Sequence, residues 1–155
     1  MIIFEYKVMP VRTGLDTSSR TSFVRVTDDL ENNVVTSWFG KEYRKTISQA
    51  DVEKIKKIID GYPEIFAIEG DLEPNGMLDG NKYAFIFSTG KKINSFVGYN
   101  ILDYGSKPRK NATMALRAAR QIKESVLWSN GIRTMIPSRL QHWPKGRRGS
   151  GLIKI

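Results

Sequence analysis

The runs of this chain that alternate with a two-residue period come in pairs joined by short turns, which excludes most architectures open to 155 residues. In residues 2–9, Phe4, Tyr6 and Val8 fall on one side and Glu5 and Lys7 on the other, the pattern of a half-buried strand. Residues 21–27 and 34–39 bracket DDLENN, a turn-rich hexapeptide, and predict an antiparallel hairpin whose bulk comes from Trp38 and Phe39. Residues 82–89 and 92–102, around Thr89-Gly90-Lys91, predict a second hairpin. Tyr83, Phe85 and Phe87 there alternate with Ala84, Ile86 and Ser88. These rings could form an exposed RNA platform, but one face of such a sheet must cover its helices, so we expect most of them in the core.

Two segments switch to the helical period. In TISQADVEKIKKIIDGYP, Ser48 stands as the N-cap with Asp51 three residues on, Val52, Ile55, Ile58 and Ile59 make one apolar stripe, and Gly61 and Pro63 stop the run. From Ala112 to about Ser129, Ala115, Ala119, Ile122 and Val126 recur at spacings of four, three and four, with Gly131 as the stop. The order β-ββ-α-ββ-α predicts an α+β fold: an antiparallel sheet of about five strands with two helices packed on one face. Residues 1–131 are expected to form a single domain and 132–155 a basic C-terminal extension.

The net charge of +9 is unevenly placed. Residues 1–104 carry 13 basic and 15 acidic side chains, whereas residues 105–155 carry 12 basic ones and the single acid Glu124. Such asymmetry fits a surface that meets a polyanion, because clustered like charges repel unless a partner relieves them. A solvated tail that keeps the protein soluble is the plainer alternative.

Two basic stretches are candidate phosphate contacts. Lys107, Arg109 and Lys110 precede the second helix, and Arg117 and Arg120 follow on its polar ridge. A helix N-terminus already carries partial positive charge, so cations there cost about a few tenths of a kcal/mol each unless an anion sits among them. In the extension, Arg139, His142, Trp143, Lys145, Arg147 and Arg148 interleave rings, cations and glycines, a composition suited to phosphate pairing and base stacking. The alternatives are a solvated loop for the first stretch, and for the second a short edge strand of Leu152, Ile153 and Ile155 shielded by its cations.

Other chemistries find little support. The absence of cysteine removes disulfides, thiolate metal ligands and a thiol nucleophile, and His142 is the only histidine. The acidic loop with Glu69, Asp71, Glu73 and Asp79 fails as a calcium loop, since Lys82 stands where a bidentate Glu is required. Docking of the basic tail on that loop, within one chain or between two, is a further expectation. We expect no cofactor, no metal and no catalytic residues, no membrane span, and a cytoplasmic address. The leading expectation is a non-catalytic protein that binds nucleic acid, RNA or DNA, through phosphates with little sequence specificity. The second is an interaction or inhibitor module that grips an acidic protein surface or assembles with its own copy, and the third is a metal-assisted nuclease.

Overall fold

The structure, a computed structural model, describes residues 1–11, 20–69, 72, 80–99 and 110–138. The alternating runs become β1 (Ile2–Val11), β2 (Ser22–Thr27), β3 (Val34–Trp38), β5 (Gly80–Ser88) and β6 (Ile93–Tyr99). A further strand, β4 (Lys41–Lys45), joins them in one antiparallel sheet of order β4-β3-β2-β1-β5-β6. The helices are α1 (Gln49–Asp60) and α2 (Lys110–Ile122), the latter continued by a π turn over Lys123–Leu127 and a 3-10 turn over Trp128–Asn130. The chain is thus an α+β protein, with six strands among the described residues rather than about five.

The extra strand escapes a periodicity argument because all five of its residues, KEYRK, are exposed. An edge strand needs no apolar face, and lysine and arginine there discourage edge-to-edge pairing. Its hairpin turns on Phe39 (φ 49°) and Gly40 (φ 87°), with Trp38 paired to Lys41. Two successive positive φ values make the tight turn that matches strand twist, normally built from Asn-Gly. Phe39 supplies no bulk to the core, being 65% exposed. Phe39→Asn should therefore raise stability by about 0.5–1 kcal/mol, read as a higher urea midpoint at unchanged slope. A lower midpoint would mean that the ring packs usefully.

Tyr83, Phe85 and Phe87 are buried against the helices together with Phe4, Tyr6 and Phe96. Ring centroids of Tyr6–Phe85 and Phe85–Phe96 lie 5.5 Å apart. In α1 the Ser48 hydroxyl accepts from the Asp51 N–H at 3.1 Å, and Val52, Ile55, Ile58 and Ile59 are buried. The Asp51 carboxylate accepts from Asn130 Nδ2 at 3.0 Å, which ties the start of α1 to the end of α2. Along α2, Ala115, Ala119, Ile122 and Val126 are buried, joined by Ala112, Leu116, Ala118 and Leu127. Gly131 ends that helix in the left-handed region (φ 73°), and the Ile132 N–H donates back to the Leu127 carbonyl at 2.9 Å, turning Ile132 into the core.

Candidate nucleic-acid interface

Strand register alone assembles one side of a groove on the helix-bearing face. Val34 pairs with Lys45, Thr36 with Tyr43 and Trp38 with Lys41, and directly opposed residues of an antiparallel pair share a face. Lys41, Tyr43 and Lys45 therefore stand with Val34, Thr36 and Trp38. The opposite wall is Gly131, Ile132 and Arg133, aimed there by the left-handed cap of α2. Between the walls lies a cavity of about 510 Å³. The Lys45 ammonium lies 3.5 Å from where a side chain on residue 131 would begin, an ordinary contact distance that sets the cation against the Gly131 wall.

Charge at the groove is only partly compensated: Arg44, which also lines it, meets Glu42 at 3.3 Å. Among the described residues, Lys41, Lys45 and Arg133 are exposed and make no ion pair. Away from the groove, Glu5, 4% exposed, receives Arg25 at 3.1 Å and Lys7 at 3.4 Å, and Lys56 meets Glu53 at 3.2 Å. A second cavity, of about 420 Å³, opens on the far face of the sheet between Glu5, Lys7, Ala84, Ile86, Ser95 and Val97. There the Glu5 carboxylate already answers the cations, so this hollow offers an anion little. The groove by β4 combines free positive charge with aromatic surface, Tyr43 being 57% exposed.

Of the residues singled out from sequence, Lys110 and Arg117 are exposed on α2, two turns apart on one ridge, and Arg120 is half-buried one turn beyond Arg117. Arg117 precedes Gly131 by 14 residues, roughly 20 Å along the helix axis, so this ridge and the groove are separate places. Lys107, Arg109, Arg139, His142, Trp143, Lys145, Arg147 and Arg148 lie outside the described residues, as do Asp71, Glu73 and Asp79 of the acidic loop. Glu69 is described and exposed. Sequence reasoning missed Trp38, Lys41, Tyr43 and Lys45. The available signal was Gly40 followed by Lys-x-Tyr-x-Lys, a two-residue alternation of cation, ring and cation.

The start of the C-terminal extension packs on the domain. Ile132 and Ile136 join the core, and Lys123 Nζ donates to the Ile136 carbonyl at 2.6 Å and to Ser138 Oγ at 3.1 Å. Lys123 is 3% exposed, lies 4.9 Å from the Trp128 ring, and has its ammonium pushed below the ordinary lysine range by burial. This clamp ties Ile136 and Ser138 to Lys123 in the turn that continues α2.

Among the described residues, no group of three His, Asp or Glu side chains could hold a metal ion, and no helix is long and apolar enough to cross a membrane. Compared with known proteins, the chain matches no family model and no curated protein.

Proposed function

We propose that this protein binds nucleic acid without catalysis, through phosphate contacts that carry little sequence preference. The observation that supports the reading is the meeting of Lys45 and Arg133, remote in sequence and free of ion pairs, across one groove with exposed aromatic surface, with Lys41 on the same face of β4. Phosphates meeting such cations release condensed counterions, which favours binding independently of base sequence. The cations of the extension, from Arg139 onward, come later in the same chain.

Fluorescence anisotropy with a labelled oligonucleotide over 50–200 mM salt tests this. Four to six phosphate contacts give a slope of log K against log salt on the order of −3 to −5. No binding at 50 mM salt would end the proposal. A second reading, addition of an acidic peptide strand to the sheet, is favoured by the position of β4 at the sheet edge with all its residues exposed. It gains if the protein captures acidic peptides and ignores oligonucleotides at equal charge.

A further inference from the structure

From the shape and lining of the groove we infer that its ligand is a single strand, with a base inserted against Tyr43 and Trp38 while Lys41, Lys45 and Arg133 hold the flanking phosphates. This rests on the reading of the protein as a nucleic-acid binder and names which nucleic acid it takes. Three observations point the same way. The positive charge lines a concavity of about 510 Å³ rather than a convex ridge or a broad flat face. A duplex presents its phosphates on the outside of a stiff cylinder with its bases stacked inside, so it reaches the rim of such a hollow and leaves the interior empty. An unpaired strand can turn a base out of the backbone path and bury its face.

The second observation is the lining itself. Across the paired strands the face toward the groove carries Trp38 beside Lys41 and Tyr43 between Lys41 and Lys45, so rings and cations alternate at strand spacing. Rings alternating with cations track a strand in which bases and phosphates also alternate, a composition that a purely phosphate-binding surface does not need. Third, the hairpin holds Phe39, another exposed ring, in a left-handed conformation that a phenylalanine adopts only at a cost. A strained, exposed aromatic next to the groove is a feature that stability does not ask for.

The test compares the full-length protein on oligo-dT, oligo-U and a mixed-sequence DNA duplex of equal length at 100 mM salt, with poly-glutamate as a charge control. We expect at least one single strand to bind roughly tenfold or more tighter than the duplex and poly-glutamate. Tyr43→Ala should remove roughly tenfold of the single-strand affinity with little change for the duplex, while Tyr43→Phe keeps it. Tyr43 is exposed, so the substitution leaves the fold intact. Trp38 is read separately: in a protein carrying Trp128→Phe and Trp143→Phe, oligo-dT should quench the remaining Trp38 emission. Equal or better binding of the duplex, or a single-strand to duplex ratio unchanged by Tyr43→Ala, overturns the inference and leaves nucleic-acid binding standing. Failure to bind any of the three nucleic acids overturns both.

Discussion

Replacing Lys41, Lys45 and Arg133 together by glutamine lowers oligonucleotide affinity by roughly 10²–10³-fold at 0.1 M salt and flattens the salt slope by about 2 to 3. The size follows from counterion release. Each phosphate contact contributes about 0.7–0.9 of a decade in affinity per decade of salt below 1 M, so three contacts at 0.1 M amount to two to three decades. Because the three side chains are exposed and make no ion pair among the described residues, the same substitutions should move stability by no more than about 0.5 kcal/mol. A control carrying Lys54→Gln, Lys57→Gln and Lys91→Gln removes equal charge from exposed positions elsewhere. Mobility-shift titration of both proteins decides the matter. Equal loss in both would show that net charge acts rather than the groove, and the assignment of the site would fail.

The largest stability effect is expected at Asn33. Its side chain is fully buried and makes three hydrogen bonds: Nδ2 donates to the Asp29 carbonyl at 3.1 Å and to the Ile47 carbonyl at 3.0 Å, and Oδ1 accepts from the Ile47 N–H at 2.8 Å. The amide thereby joins the β2–β3 turn to the segment between β4 and α1. Neighbouring bonds repeat the link, since Asn32 N–H donates to Thr46 Oγ1 at 2.9 Å and Gln49 Nε2 to the Asp29 carbonyl at 3.1 Å. Asn33→Ala strands the buried N–H and C=O of Ile47 and should cost about 2–4 kcal/mol, measured by urea denaturation. Asn33→Asp should also destabilise at neutral pH, because a carboxylate then faces two carbonyl oxygens and lacks the donors they accept from. A loss below about 0.5 kcal/mol in Asn33→Ala would show that water replaces the amide without penalty.

Asn33 matters to the groove as well as to the fold. β4 has no buried side chain of its own, so what holds it is its ladder with β3 and the anchored segment that follows it. The Asn33 bonds to Ile47 fix that segment two residues beyond Lys45. A weakened anchor is therefore expected to loosen the wall that carries Lys41, Tyr43 and Lys45 before it loosens β1 or β5 in the sheet centre.

Much of the architecture could be read in the order of residues. Tyr6, Phe85 and Phe87 alternate with smaller or charged neighbours and are buried; the four apolar residues of α1 and the stripe of α2 lie where their spacing put them. A hydrophobic period survives translation into structure because burial of one face is what sets strand register and helix rotation. β4 was illegible for the same reason in reverse: with nothing to bury, KEYRK carries no period that apolar residues could report. The sequence also marked positive charge as the protein's main chemical feature, and it pointed to α2 and the C-terminal extension as the bearers.

By itself the sequence determined the α+β class, the hairpin pairing, the core faces of both helices and the excess of cations in the last third of the chain. Only the tertiary structure decided that Lys45, from the nearly neutral first part and with Lys41 on the same strand face, stands opposite Arg133 across a groove with Trp38 and Tyr43. Local pattern encodes which face of an element leaves water. Which exposed side chains of different elements become neighbours depends on strand order and on one left-handed turn at Gly131, and no local period records either.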